Sequence, residues 1–332
     1  MPVEPQATVT PPGAPSPQGS SDGLSAAAES PTAAELLQWR RELMGWGGEP
    51  GAFDWLLDAA AGVSPSLLRS LAARPGQTVP LLRARREMAD LWRQHLATAA
   101  PLQYLVGHCF WRNFTLEVGP SVLIPRPETE LMVDLALGLL RENEFEVPTE
   151  GYWADLGTGS GCLAMGLARA FPGSPGLAVD VSPAALALAR RNLVGAGLHN
   201  RVRLIQGDWF DALRPWWGAL PLVVANPPYI PSKVVELLAP GVRDHEPRLA
   251  LDGGADGLAC LRKIALHAPR ALAEGGCLLV EHHHDQSLAV MDLLAQNGLV
   301  EIRSHADLEG HRRFVSGRLP LPMAHPPSRM RS

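Results

Sequence analysis

Residues 155–161 read Asp-Leu-Gly-Thr-Gly-Ser-Gly. They close a short apolar run, 152–156, and lead into a stretch with helical spacing, 161–171. A strand that ends in a glycine-rich turn and passes straight into a helix opens a β-α-β unit. Glycine there lets the backbone approach a ligand, and a helix start offers amide N–H groups to it. The turn lacks the Lys-Ser/Thr that ends a phosphate-cradling loop. Cys162 stands where a dinucleotide fingerprint has its third small residue.

Downstream the alternation continues. Strands are predicted at 177–180, 202–206, 222–225, 277–281, 300–304 and 313–316, with helices at 183–194, 258–272 and 286–297. Ser182 as N-cap and Pro183 at the first helical position mark the start of the 183–194 helix. The fold class is α/β with a doubly wound, mostly parallel sheet. Ligands of such sheets sit at the carboxyl ends of the strands, near the switch in strand order. Three further candidates lie there. Asp180, 23 residues after Gly157, can accept from ribose hydroxyls. Asp208 can accept from an exocyclic amine, and Trp209 can pack on a ring. Asn226-Pro-Pro-Tyr-Ile230 is the most specific. Its two prolines fix φ and remove two N–H donors, so the loop is stiff and acceptor-rich. A planar NH2 group offers two donors, which the Asn226 oxygen and the Pro227 carbonyl can accept, with Tyr229 stacked on the plane.

Upstream, residues 32–103 are predicted to be helical, with pieces at 53–61, 64–73 and 79–97 and a capping box from Thr32 and Glu35. Between 32 and 100 there are eight basic and seven acidic residues, a balance unlike that of a nucleic-acid module. Residues 104–124 carry short aromatic and β-branched runs split by Asn113 and Gly119-Pro120, and read as a β-hairpin linker. Residues 1–31, with seven prolines, read as a disordered extension, and 319–332 as a flexible tail. The net charge of −5 gives no overall basic field for a duplex. Four cysteines without a C-x-x-C pair suit a reducing compartment and no zinc site. No apolar run reaches the length of a membrane span, and no secretory or organellar leader is legible, so a cytoplasmic protein is expected.

With these stretches in view the sequence resembles the class I Rossmann-like methyltransferases. Within them it is similar to the peptide-chain release factor glutamine methyltransferases over about residues 33–318. Pro101–Gly107 (PLQYLVG), Phe110-Trp111, Leu123–Glu130 (LIPRPETE, with Arg126, Pro127, Thr129 and Glu130), Gln206–Phe210 (QGDWF), Val242–Pro247 (VRDHEP) and 307–313 carry that likeness beside the two loops. The resemblance implies a seven-stranded methyltransferase domain over 125–318 and a helical substrate-docking domain over 32–103. It implies S-adenosyl-L-methionine as cofactor, held by Gly157, Thr158, Gly159, Ser160, Gly161, Asp180, Asp208, Trp209 and Asn226, with no metal. It implies Asn226, Pro227 and Tyr229 as catalytic residues, joined by Pro228 in binding substrate. The reaction implied is N5-methylation of the glutamine in the GGQ motif of release factors, the partner proteins, with no specific nucleic-acid or membrane partner. Asn-Pro-Pro-Tyr also serves adenine methyltransferases, so an N6-adenine activity on nucleic acid is the alternative. Two departures are visible: His283, within Glu281-His-His-His284, stands where the family usually has a glycine, and the Pro-rich N-terminal extension lies outside the resemblance.

Overall fold

Seven strands form one sheet among the described residues of the computed structural model, which are 29–141 and 151–322. They are β3 (Trp153–Leu156), β4 (Gly176–Asp180), β5 (Val202–Gln206), β6 (Leu220–Ala225), β7 (Leu272–Glu281), β8 (Val300–Ala306) and β9 (Arg312–Arg318). Their order is β5-β4-β3-β6-β7-β9-β8, and β9 alone runs against the rest. The chain winds outward from β3 to β5 and then returns to β6 on the other side of β3. The carboxyl ends of β3 and β6 therefore flank the switch in strand order.

Helices cover both faces: α6 (Leu131–Arg141), α7 (Cys162–Ala170) and α8 (Pro183–Gly195) on one, and α11 (Ala259–Ala271) and α12 (Ser287–Gln296) on the other. The two-residue period of the strands divides the core. Trp153, Leu222, Val224 and Leu279 pack with Met132, Leu163 and Leu188, whereas Ala154, Val223 and Leu278 pack with Leu261, Ile264 and Val290. Helix α6 is not among the predicted elements. Between β6 and α11 lie two one-turn helices, α9 (Ser232–Val235) and α10 (Pro240–Arg243), also unpredicted.

The N-terminal residues form α1 (Ala33–Met44), α2 (Pro50–Ala61), α3 (Pro65–Leu71), α4 (Arg85–Thr98) and α5 (Leu102–Val106) around Leu36, Phe53, Met88 and Trp92. The Thr32–Glu35 capping box is present. The helix predicted over 79–97 starts only at Arg85. Val79 and Leu81 are buried outside any helix, donating to the carbonyls of Pro31 and Glu29 at 2.8 and 2.9 Å. Pro80 has no N–H for a helix and disfavours the helical conformation at Val79. Residues 29–31, assigned by composition to the disordered extension, are thus paired. The remainder of that extension, 1–28, and the tail beyond 322 lie outside the described residues. Of the stretch 104–124, the hairpin is β1 (His108–Trp111) paired with β2 (Phe114–Glu117), while 104–106 end α5. Trp111, Phe114 and Leu116 are buried in the core on the α6–α7 face. No described helix is long and apolar enough to cross a membrane.

Candidate active site

The glycine-rich turn after β3 crosses to β4. Gly157 and Thr158 donate to the carbonyl of Val179 at 2.8 and 2.9 Å, Gly161 donates to Thr158 O at 2.8 Å, and Gly159 donates to Asp180 Oδ2 at 2.9 Å. Four of its amides therefore bond inward. What the turn leaves open to a ligand is the space of its missing side chains more than a row of free donors. Gly157, at φ 74°, has the Trp209 ring 3.2 Å from where a Cβ would stand, while the same position on Gly159, at φ 54°, meets nothing within 4 Å. Behind the turn, the buried Asn192 of α8 donates to Ser160 O at 2.9 Å and to Glu117 O at 3.0 Å, and accepts from Glu117 N at 2.7 Å, tying the turn to the hairpin. Asp180 also accepts from Ser182 N at 2.8 Å. Burial holds its carboxyl above the ordinary carboxylate range, against the pull of these two amides.

Asn226 follows β6. Its Nδ2 donates to Thr129 Oγ1 at 3.1 Å, and Thr129 Oγ1 donates to Glu281 Oε2 at 2.8 Å. Tyr229 OH donates to Glu281 Oε1 at 3.2 Å. Glu281, at the end of β7, is 1% exposed, and burial pushes its carboxyl up to about 7 despite both hydroxyls and the charge of Arg313. The Asn226–Ile230 loop is also clamped from outside. Gln286 donates to Tyr229 O at 2.9 Å, Gly253 N and Ile230 O bond at 2.8 Å, and a Cβ on Gly253 would lie 2.8 Å from Pro228 O.

One cavity of about 390 Å³ gathers Gly157, Thr158, Gly159, Ser160, Asp180, Asp208, Trp209, Asn226 and Pro228 on its wall. Gly161, Pro227 and Tyr229, named from the sequence, do not line it. Gly161 packs on Ala189, Pro227 is buried, and the Tyr229 hydroxyl is spent on Glu281. Asp208 lies 3.4 Å from Lys263 Nζ. Sequence reading missed Arg126, Thr129, Cys260 and Lys263 as lining residues. For the first two the signal is the family-like Leu123–Glu130 stretch, whose motif alone assigns no contact. Arg126 is held by the buried Glu246 at 2.7 Å, and Glu246 Oε2 accepts from Ile124 N. Among the described residues no three His, Cys, Asp or Glu side chains assemble a metal site. His282 is buried, with Nδ1 2.7 Å from His283 O, and the His283 ring lies 4.2 Å from that of His284.

A family model for the methyltransferase small domain matches residues 131–239. A release factor glutamine methyltransferase of Prochlorococcus marinus is 45% identical over 85% of this chain and 96% of its own. Proteins of the same name from Gloeobacter violaceus and Synechocystis sp. are 42% and 38% identical, over 79% and 86% of this chain and 88% and 96% of theirs.

Proposed function

The chain belongs to the release factor glutamine methyltransferase family, and from that membership we propose that it methylates the side-chain amide nitrogen of a glutamine in a peptide-chain release factor. Its cofactor is S-adenosyl-L-methionine. The cavity fits that molecule. Open space over Gly159 takes a ligand pressed against backbone, Asp180 offers a carboxylate to ribose hydroxyls, and the Trp209 ring offers a face to a base. When bound, S-adenosyl-L-methionine supplies an electrophilic methyl group.

The observation that carries the reaction type is Asn226 on the same wall as the glycine-rich turn. An amide nitrogen is a poor nucleophile because its lone pair is delocalised into the carbonyl. In this reading Asn226 Oδ1 accepts one of its N–H bonds at the cavity wall and the backbone carbonyl of Pro227, a residue buried just off that wall, accepts the other, which holds the nitrogen in line and favours positive charge growing on it. Alignment of this kind is worth up to roughly 7–11 kcal/mol. The stiff Pro227-Pro228 pair keeps the acceptors in place with no N–H of their own to compete. Tyr229 supports the loop from below through Glu281.

The helices of 32–103 are read as the platform that receives the protein substrate. Their charges are balanced, and they reach the site through the 231–252 segment, where His245 Nε2 lies 2.8 Å from Thr98 O. A protein acting on release factors works where translation terminates, and a cytoplasmic location is proposed on that ground. The test is mass spectrometry of a release factor incubated with the protein and methyl-labelled cofactor. A single labelled glutamine is the expected result. Label on adenine of added DNA or RNA, with none on the factor, would favour the adenine alternative and overturn this reading.

A further inference from the structure

We propose that Thr129 is a positioning residue that decides which end of the Asn226 amide faces the reacting nitrogen. The inference rests on the reading above, in which Asn226 Oδ1 accepts from the substrate NH2. An asparagine amide is nearly symmetric in shape and opposite in hydrogen-bond sense at its two ends. Turned by half a rotation, Asn226 would present its own NH2 to the substrate NH2, and two donors make no bond. Its neighbours Pro227 and Pro228 have no N–H with which to hold Oδ1 in either sense.

Thr129 supplies the missing choice. Its hydroxyl has one proton. Oγ1 lies 2.8 Å from Glu281 Oε2 and 3.1 Å from Asn226 Nδ2. An ionised Glu281 only accepts, and its other oxygen is taken by Tyr229 OH at 3.2 Å. The Thr129 proton is therefore committed to Glu281, and only lone pairs remain toward Asn226. They attract the Asn226 NH2 and repel Oδ1, so Oδ1 is turned to the cavity. Thr129 is 2% exposed and Glu281 1%, so bulk water does not reach in to satisfy the reversed arrangement. The three residues come from separate places: the turn Glu128–Glu130 before α6, the end of β6 and the end of β7.

The test is a double-mutant cycle in single-turnover methyl transfer to an intact release factor at pH 8, with cofactor affinity measured by calorimetry. Thr129→Val keeps the shape and removes the acceptor. It should lower the rate about 5- to 150-fold, the range for one buried donor left unsatisfied, with cofactor affinity unchanged within about twofold. Thr129→Ser restores the hydroxyl and should return the rate to within about threefold of wild type. In the Asn226→Asp background a carboxylate has two like oxygens and no wrong end, so adding Thr129→Val should cost less than about threefold. Equal losses in both backgrounds, a fall in cofactor affinity that matches the fall in rate, or no rescue by serine would each overturn the inference. If wild type transfers no methyl to glutamine, the underlying reading falls first. If wild type transfers and the cycle is additive, the orientation inference alone falls.

Discussion

Asn226 has its side chain on the cavity wall, while the backbone of its loop is held further along, at Tyr229 O by Gln286 and at Ile230 O by Gly253, contacts that substitution at 226 leaves alone. On the proposed reading, Asn226→Ala removes one of two acceptors for the substrate NH2. By analogy with the loss of one preorganised hydrogen bond at a transition state, the single-turnover rate should fall by about 10²–10³. Asn226→Asp keeps an acceptor and should retain more activity than alanine. The melting temperature should move little in either variant. Wild-type single-turnover transfer by Asn226→Ala would sink the mechanism. Asp180 carries a different load. It accepts from Gly159 N and Ser182 N, so it shapes the turn as well as facing the cavity. Losing a charge-assisted hydrogen bond to ribose should weaken cofactor binding about 10- to 150-fold in Asp180→Ala, as read by calorimetry. Unchanged affinity would remove Asp180 from the ribose role.

Among the elements, those that positioned the site were legible because each pairs a short apolar run with a local boundary signal. β4 ends before the Ser182-Pro183 cap, and β6 ends at Asn226-Pro-Pro. Helix α6 was not legible for the opposite reason. In Leu131–Arg141 the buried Met132, Val133, Ala136, Leu139 and Leu140 do recur with helical spacing opposite Asp134, Gly138 and Arg141, but its start is a 3-10 turn without a side-chain cap, so no local boundary signal announces it. The 231–257 segment has too little periodic apolar content to announce that Gly253 and Gly257 press on the Asn226 loop. The Thr129–Asn226 bond spans 97 residues, and no spacing rule within one strand or helix reaches that far. Close packing between elements makes a further prediction. Gly176 opens β4, and a Cβ there would stand 2.1 Å from the Trp153 ring of β3. Trp153 is fully buried and donates to Ser174 O at 3.3 Å, so it has little room to move. Gly176→Ala should destabilise by about 1–3 kcal/mol or more through overpacking. Urea unfolding checks this, and an unchanged midpoint would mean that the β3–β4 pair relaxes freely.

For the molecule as a whole, the hydrophobic clusters and not the sequence boundaries say where it can be divided. The reading of 104–124 as a linker invites a cut near Leu123. Such a cut would strip Trp111, Phe114 and Leu116 from the α6–α7 face, where the Trp111 ring lies 3.4 Å from the Cβ position of Gly166 and its Nε1 donates to Arg126 O at 3.1 Å. Losing three large buried side chains at about 2–5 kcal/mol each exceeds or matches the whole stability of a typical domain. A chain starting at residue 123 should therefore show no cooperative unfolding and no cofactor binding. A chain starting at Gly107 keeps the hairpin and gives up the cluster around Leu36, Phe53, Met88 and Trp92, together with Trp55 and Tyr104, which pack on the hairpin's cluster while only partly buried. It should unfold cooperatively and bind S-adenosyl-L-methionine within a few-fold of the full chain. If helices α1 to α5 receive the protein substrate, its transfer to an intact release factor should fall by at least about tenfold, a loss of roughly 1.4 kcal/mol of docking energy. Undiminished transfer by the chain starting at Gly107 would refute the docking role, and full cofactor binding by the chain starting at 123 would refute the assignment of the hairpin to the methyltransferase core.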